Sequence, residues 1–341
     1  MRPVARIAAV AAGVALVAAV AYVVAGATAG SPPPTPAAAE APKPQGDPGP
    51  IGEQLRPLPA GRRLVVRAVD PERPRRDGQV FELTPAGEAR PVGGSMKCKR
   101  VAVSPAGRGI CLARTASGIG YEGIVFDKEY RRLRVFHVSG VPDRARISPD
   151  GRYGAFTTFD RVGSYGYFAS TTGFSTQVDI VDLRTGRRTL QEQDLALTRD
   201  GRRFAPRDVE YWGVTFAGDD RFYATMATGS DHYMIEGSVT SGKAEVIAEG
   251  IECPAISPDG TRIAYKSRLG DSNRWRLTVR DLRTGRDTPL AERRSIDDQP
   301  EWLDDETVVY SDDVDVLVVP ADGSGRPSAV AERATSPTLV D

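Results

Sequence analysis

Histidine and cysteine are scarce in this 341-residue sequence, which contains two His and three Cys. His137 and His232 supply at most one base for any nucleophilic triad, and two histidines are too few for a His-rich zinc or lyase site. No G-x-S-x-G nucleophile turn and no P-loop is present. We therefore expect no catalytic residues and no cofactor, and we interpret both histidines as structural residues of strands.

An excess charge of either sign is also lacking, because 45 Lys and Arg balance 45 Asp and Glu. A balanced chain has no overall field that draws it onto nucleic acid, so no nucleic-acid partner is expected. Asp312, Asp313 and Asp315 could offer oxygen ligands to Ca²⁺. Solvated acidic residues are common in loops, however, and no metal site is predicted. The protein is expected to be a monomer.

Residues 1–30 form a separate segment, in which Arg2 and Arg6 precede the apolar run Ile7–Val24. A run of about 18 residues rises ~27 Å as a helix, close to the hydrocarbon thickness of a bilayer. The positive flank predicts a cytoplasmic N-terminus and export of the chain beyond the apolar run. Small residues at 25–29 also resemble a cleavage site. The segment is therefore either a membrane anchor, which we favour, or a cleaved signal peptide; in both cases the remainder is extracytoplasmic.

Residues 31–62 are rich in proline and alanine and begin SPPPTPAAAE. Such composition favours extended polyproline conformation and cannot build a packed core. We interpret this segment as a linker that holds the domain at 63–341 away from the membrane.

Short repeated motifs organise the remainder of the chain. ISPDG occurs at Ile147–Gly151 and Ile256–Gly260, with a looser copy, VSPAG, at Val103–Gly107. Each ISPDG is followed by a DLRTG motif, at 182–186 and 281–285. Pro and Asp-Gly suit a tight reversal between two strands, and TGR marks a second turn. The repeat therefore predicts four-stranded units in which the aspartate of ISPDG holds a turn.

Six such units of about 45 residues can be traced, the length of a propeller blade. The first unit lacks its opening strand, whereas Ser336–Asp341 reads as a strand without partners. Pairing the last strand with the first unit closes the ring and protects its edges. The predicted fold is an all-β, six-bladed β-propeller preceded by an N-terminal helix and a Pro-rich linker.

SPDG followed by I/G-A-Y/F and then by DLRTG resembles the WD-like repeat of the TolB propeller, which also occurs in prolyl oligopeptidases. The resemblance covers roughly 61–341 and implies the six-bladed fold. TolB carries an α/β domain before its propeller and the oligopeptidases carry a hydrolase domain, whereas here a linker precedes the repeats. The resemblance thus implies a membrane-tethered, propeller-only form.

The three cysteines are Cys98, Cys111 and Cys253. An extracytoplasmic location favours pairing, and Cys98 and Cys111 flank the VSPAG turn. Simple hairpin counting places Cys98 opposite Arg114, so a bend before Arg100 is required to bring the two thiols together. We predict this disulfide and expect Cys253 to be a buried single thiol.

One insertion distinguishes the two clearest units. Ser148 and Asp182 are 34 positions apart, whereas Ser257 and Asp281 are 24 apart. The additional residues lie within 160–177 and carry four aromatic side chains among Gly and Ser: Tyr165, Tyr167, Phe168 and Phe174. Rigid aromatics in a polar loop are typical of recognition surfaces, although the same rings could merely pack the insertion onto the blades.

The loop that contains this insertion joins a second to a third strand, on the face that also carries the links between blades. We expect the same face to gather further binding residues: Tyr121, Tyr233, Trp275, Asp297, Asp298 and Gln299. Alternatively, the aspartates only cap the central channel. The predicted function is non-enzymatic recognition of a protein or peptide partner at the cell envelope. The alternative is a channel-located hydrolase or lyase acting on envelope carbohydrate or peptide.

Overall fold

The computed structural model describes residues 58–85, 88–160, 175–270 and 272–340. Across these ranges the chain is built from strands, with one 3₁₀ turn at Glu192–Asp194. The described part of the chain holds no helix that could cross a bilayer. The helix expected within 1–30 and most of the linker expected at 31–62 lie outside the described residues, so both remain predictions.

The strands form six sheets, which we number as blades in chain order. Blade 1 begins with β1 (Arg63–Ala68), β2 (Gln79–Leu83) and β3 (Ala89–Lys97). Blade 2 contains β4 (Arg100–Val103), β5 (Gly109–Arg114), β6 (Tyr121–Phe126) and β7 (Arg132–Val138). Blade 3 contains β8 (Val141–Ile147), β9 (Tyr153–Asp160), β10 (Ser175–Asp182) and β11 (Arg187–Gln191).

The link to blade 4 contributes β12 (Ala196–Arg199) and β13 (Arg202–Arg203), and the blade itself contains β14 (Val209–Phe216), β15 (Arg221–Thr228), β16 (Asp231–Ser238) and β17 (Lys243–Glu249). Blade 5 contains β18 (Glu252–Ile256), β19 (Arg262–Arg268), β20 (Trp275–Asp281) and β21 (Asp287–Pro289). Blade 6 contains β22 (Glu301–Trp302), β23 (Thr307–Ser311), β24 (Val316–Pro320) and β25 (Ser328–Ala331). The final strand is β26 (Ala334–Val340).

The ring closes through β26, which pairs antiparallel with β1 and completes blade 1. Leu64 lies opposite Leu339, and Thr338 Oγ1 bonds both the backbone N and the backbone O of Val103 in blade 2. The six first strands, β26, β4, β8, β14, β18 and β22, contact one another in turn around the centre. The predicted six-bladed propeller and its closure by the last strand are confirmed.

Blade 4 departs from the predicted four strands, because β12 pairs in parallel with the outer edge of β17 and carries β13 with it. Leu197 of β12 is buried against this blade. A propeller blade leaves its outer strand with one unpaired edge, and here the link between blades covers that edge.

Apolar side chains fill each of the six interfaces between neighbouring blades with a separate buried cluster. At the interface of blades 5 and 6, Trp302 and Tyr310 are almost fully buried. Burial of apolar area stabilises a blade. All six blades bury such area against two neighbours only when the ring is closed. Closure by β26 therefore completes the packing of the whole molecule.

The SPDG turns lie on one face of the ring, which we call the turn face. Ser148 Oγ donates to Asp150 Oδ1 (2.6 Å), and Asp259 Oδ1 accepts from Thr261 N (3.0 Å) in the equivalent turn. These turns are also bonded to the next blade, since the backbone N of Asp150 donates to Asp219 Oδ1 (3.2 Å). The predicted turn-holding role of the aspartate is confirmed, and the turns bond to one another as well.

Cys98 and Cys111 are joined by a disulfide, with their Cα atoms 5.2 Å apart, and Cys253 is a buried free thiol. Within the hairpin Cys111 lies opposite Val101, and Cys98 lies just before the bend at Lys99. The bend that simple hairpin counting requires is therefore present between β3 and β4.

Candidate functional site

The face opposite the turns, which we call the loop face, carries the loops between second and third strands and the links between blades. Tyr121 begins β6, Tyr233 lies near the start of β16 and Trp275 begins β20, so all three predicted aromatics lie at this end of their blades. Tyr121 (8% exposed) packs beneath Arg114, and Tyr233 (5% exposed) beneath Arg199. Those two rings pack within the blades, whereas Trp275 is half-buried.

The aromatics of the insertion, Tyr165, Tyr167, Phe168 and Phe174, lie outside the described residues. Strands β9 and β10 are paired up to Asp160 and Ser175, the two ends of that segment. The two ends of the segment therefore lie at the loop face of blade 3, and the binding role of its aromatics remains a prediction.

The link from blade 5 to blade 6 enters the central channel with Asp298 and Gln299 buried. Gln299 Nε2 donates to the carbonyls of Val214 (3.1 Å) in blade 4 and Pro254 (2.8 Å) in blade 5. Arg100, the first residue of blade 2, pairs with Asp298 at 3.3 Å. Asp298 and Gln299 thus lie in a channel cap, which we define as residues 297–301.

Arg146 extends the cap across the ring from blade 3 to blade 6, which stand opposite each other. Its Nη2 donates to the carbonyl of Pro300 (2.8 Å), and its Nε lies 3.0 Å from a carboxylate oxygen of Glu301. A guanidinium that is paired at both positions holds the two sides of the channel together. The channel is therefore spanned at this level by protein side chains.

Several first strands carry a β-bulge near the loop face. An additional residue interrupts the pairing of β8, β14, β18 and β26. The bulges of blades 4 and 5 contain Gly213 (φ 63°) and Cys253 (φ 51°), whose backbone N–H groups donate to Thr157 and Thr225 of the preceding blades. A threonine on the second strand of blade 3 and another on that of blade 4 thus each accept a bond from a backbone donor of the next blade.

Blade 5 has a lysine in place of this threonine. Lys266 lies opposite Glu252 beside the bulge, as Thr225 lies opposite Trp212. The side chain is only 2% exposed, and its Nζ donates to the carbonyl of Asp297 (3.1 Å) and to the carboxylate of the same residue. A buried ammonium is costly unless it is paired, so this position is a candidate for a functional rather than a purely structural residue.

Aromatic and cationic groups surround Lys266. Its Nζ lies 4.4 Å from the centre of the Trp275 ring, and the Arg268 guanidinium carbon lies 5.6 Å from the same ring. Arg144 of blade 3 donates to the carbonyl of Asp297 at 2.7 Å. Trp275, Lys266, Asp297 and Arg144 form a compact group on the loop face, which we call the Lys266 site.

His232 lies beside this group, at the interface of blades 4 and 5. Its Nε2 is 3.3 Å from Arg268 Nη2, and its ring meets that of Trp212 edge-on at 5.6 Å. Burial lowers the pKa of His232; the carboxylate of Glu252 opposes this shift and Arg268 reinforces it. The imidazole is therefore neutral near pH 7 and can accept a hydrogen bond from Arg268, as expected for a structural histidine.

Lys99 and Asp313, two groups near the channel cap, have shifted pKa values. Burial and the nearby Arg100 and Arg67 lower the pKa of Lys99, which indicates mutual repulsion among the three cations. Burial and the nearby Asp298 raise the pKa of Asp313. Arg67 is paired with Asp77, and Arg100 with Asp143 and Asp298, so much of this charge is balanced within the protein.

Asp312 and Asp315 act as turn and link residues. Asp312 Oδ1 accepts from the backbone N of Asp315 (2.8 Å), and Asp312 Oδ2 pairs with Arg294. Asp315 Oδ1 accepts from the backbone N of Arg333 (2.8 Å). Across the described ranges no group of three or more His, Cys, Asp or Glu side chains is arranged to hold a metal ion.

The run Gly118–Gly123 has the G-x-G-x-x-G spacing of a dinucleotide loop, which sequence reasoning overlooked. It leads into strand β6 rather than into a helix. The phosphate-binding form of this motif needs the N-terminus of a helix, so the glycines here serve a loop between strands.

Lys266, Arg144 and Arg100 were likewise missed from the sequence. A signal for Lys266 was available, because an alignment of the repeats places a lysine where blades 3 and 4 have Thr157 and Thr225. No comparable signal existed for the arginines, whose partners lie in blades far along the chain.

No family model matches the sequence. Among characterised proteins, the Tol-Pal system protein TolB of Methylococcus capsulatus is 36% identical over 105 residues, which is 31% of this chain. That match spans only about a fifth (21%) of the length of the TolB relative.

Among solved structures, TolB from Acinetobacter baumannii superposes with a TM-score of 0.56 at 18% identity, covering 82% of this chain and 67% of that one. An acylaminoacyl peptidase from Pyrococcus horikoshii gives a TM-score of 0.50 at 12% identity, covering 83% of this chain and 46% of that one. These likenesses concern the fold. The chain thus has TolB-like structural neighbours and a six-bladed β-propeller arrangement, with modest sequence identity to a TolB protein.

Proposed function

We propose that this chain is a non-enzymatic binding protein of the cell envelope, whose propeller recognises a protein or peptide partner through its loop face. The Lys266 site carries this proposal, because a lysine stands where blades 3 and 4 have a threonine and places a buried ammonium and a half-buried indole beside further charged groups. A feature that occurs once around a ring can mark one binding site, whereas a repeated turn cannot. Likeness to a protein of the Tol-Pal system supports the envelope setting.

The insertion at 160–177 is proposed as the second part of the same surface. Its two ends lie at the loop face of blade 3, and its sequence supplies aromatic rings that suit an interface anchor. Export by the segment at 1–30, as an anchor or as a cleaved signal peptide, would present this surface outside the cytoplasm.

The enzymatic alternative has less support from the channel. Arg146 and the cap occupy the level at which a channel-located active site would need room for substrate. His232, at the interface of blades 4 and 5, is bonded to Arg268. The likeness in fold to a peptidase leaves the reaction open, because propellers accompany both binding and catalysis.

Site-specific photocrosslinking in living cells that produce the full chain tests the proposed face. A photoreactive residue at the exposed Asn273, in the β19–β20 loop, should capture a discrete envelope protein or peptide. The same residue at the exposed Ala106, in a turn of the opposite face, should not.

The insertion is tested in the same assay. Replacing Tyr165, Tyr167 and Phe168 with alanine should weaken partner binding by roughly 1–3 kcal/mol, the usual range for interface anchors. Asp150→Ala, on the turn face, should leave crosslinking from position 273 unchanged in the folded protein.

Equal capture from both faces, or capture only from position 106, would overturn the proposal.

A further inference from the structure

We infer that the Lys266 site is a carboxylate receptor, in which Asp297 of this chain occupies the position that an acidic side chain or a terminal carboxylate of the partner takes on binding. This inference rests on the proposed function, and it specifies the chemistry of the partner group. It rests on the unequal burial of the ion pair, on an incompletely used arginine and on the adjoining indole.

The ion pair between Lys266 and Asp297 is unequal. Lys266 is buried (2% of the side chain exposed), whereas 62% of the Asp297 side chain is exposed. A buried ammonium needs an anion at all times, since leaving it unpaired costs several kcal/mol. The Asp297 carboxylate, in contrast, regains its hydration readily if it turns outward. When another carboxylate replaces Asp297, Lys266 therefore keeps an anion and Asp297 regains its hydration. The exchange consequently costs little free energy.

Arg144 provides a second cation with unused bonding capacity. Its side chain is 10% exposed, and one Nη2 hydrogen is used on the carbonyl of Asp297. The same Nη2 lies 3.6 Å from Asp297 Oδ1, too far for a hydrogen bond, and Nη1 pairs with the carboxylate of Asp143. Nε of Arg144 is buried and has no acceptor among the described residues. A carboxylate with more freedom than the tethered Asp297 could use this guanidinium more fully.

Trp275 forms an aromatic wall of the receptor. Lys266 and Arg268 both lie over its ring, and its own Nε1 is buried without an acceptor among the described residues. A ligand that carries an additional acceptor beside its carboxylate, as every peptide does, could satisfy that donor. The indole also reports on the site, because a carboxylate that binds Lys266 lies close to the Trp275 ring, whose centre is 4.4 Å from Nζ.

Removal of the internal carboxylate is the direct test, made on the full chain with two small probes. N-acetyl-aspartate amide carries only a side-chain carboxylate, and N-acetylglycine carries only a terminal one. Asp297→Ala should bind at least one of them about tenfold more tightly than the natural sequence does, a difference typical of one removed competitor charge. Titration of tryptophan fluorescence at constant ionic strength measures both affinities, and the better probe identifies the source of the carboxylate.

Matched variants make the result specific. Glu129→Ala removes the same charge from an exposed turn on the opposite face and should leave probe affinity unchanged. Lys266→Met added to Asp297→Ala should abolish the gain. If Asp297→Ala is poorly folded, Asp297→Asn keeps the shape while removing the charge and should show a gain of the same sign.

The two proposals fail separately. A folded Asp297→Ala or Asp297→Asn protein with no gain for either probe would overturn the carboxylate receptor, whatever the crosslinking shows. A gain in probe affinity without any partner captured at position 273 would instead support the receptor and count against the proposed function.

Discussion

At the scale of single residues, the aspartates of the SPDG turns show how one side chain organises a local reversal. Asp259 accepts bonds from Ser257 Oγ and from the backbone N of Thr261, while Ser257 Oγ accepts from the backbone N of Arg262 (2.9 Å). Gly260 comes next at φ 70°, a conformation that favours glycine. The side chains of Ser257 and Asp259 thus accept the bonds of the donors within the turn. The SPDG motif therefore recurs where blades need the same tight reversal between two strands.

Asp259→Ala should therefore lower the free energy of unfolding by about 1–2 kcal/mol, the usual cost of leaving such donors without an acceptor. Burial alone would raise the pKa of Asp259, but the bonds from Ser257 and Thr261 outweigh it and lower the pKa to about 2. The folded pKa thus lies below the ordinary value of 3.8. The stability that the ionised Asp259 carboxylate contributes is therefore complete above pH 3.8 and is lost as the pH falls toward 2.

Urea unfolding of the natural sequence and of Asp259→Ala at pH 5, 6.5 and 8 should consequently give the same difference in stability. A difference that grows or shrinks across this range would show that the carboxylate is not held as described.

At the scale of elements, the seam between blades 3 and 4 contains acidic groups close to one another. Glu192, in the 3₁₀ turn, accepts a bond from the backbone N of Val178 (3.1 Å). Burial raises the pKa of Glu192 to about 7; the Val178 bond opposes the shift, and the charges of Asp179 and Glu210 add to it. This element is therefore more stable when Glu192 is protonated.

Glu192→Gln should remove this penalty. The folded pKa lies above the unfolded value of 4.5, so the natural sequence is most stable below pH 4.5 and loses stability as the pH rises to about 7. We expect the variant to gain about 2 kcal/mol over the natural sequence at pH 8, discounted for partial exposure, and little at pH 5. Thermal melts at both values measure this, with the exposed Glu245→Gln as the control. An equal effect at both values would contradict the assignment.

At the scale of the whole molecule, closure of the ring couples the two ends of the described chain. β26 contributes the first strand of blade 1, and its side chains join the apolar cluster between blades 6 and 1. Deleting residues 334–341 exposes that cluster and the edge of β1. The melting temperature should fall by at least about 10 °C, since each kcal/mol corresponds to a few degrees in a domain of this size.

Thr338→Val provides a milder companion to the deletion, because it removes only the two bonds to Val103. It should lower stability by about 1 kcal/mol.

Melting of the truncated chain at the temperature of the natural sequence, measured by circular dichroism, would be incompatible with closure by β26.

The sequence by itself determined the features that depend on neighbours along the chain. Alternating apolar runs and Pro-Asp-Gly turns define strands and hairpins through contacts a few residues apart, and their sixfold recurrence determined the propeller. The unpaired strand at the C-terminal end determined how the ring closes. Even the disulfide could be predicted, since Cys98 and Cys111 belong to one turn region.

Only the tertiary structure decided which side chains meet in the centre. Arg144 and Asp297 are separated by 153 positions, as are Arg146 and Gln299, and each pair meets because blades 3 and 6 face each other across the channel. Periodicity along one strand carries no information about a residue on the opposite side of a ring. Tyr121 and Tyr233 illustrate the same limit: their position at the loop face could be inferred from strand order, but their burial beneath Arg114 and Arg199 depended on how each blade packs.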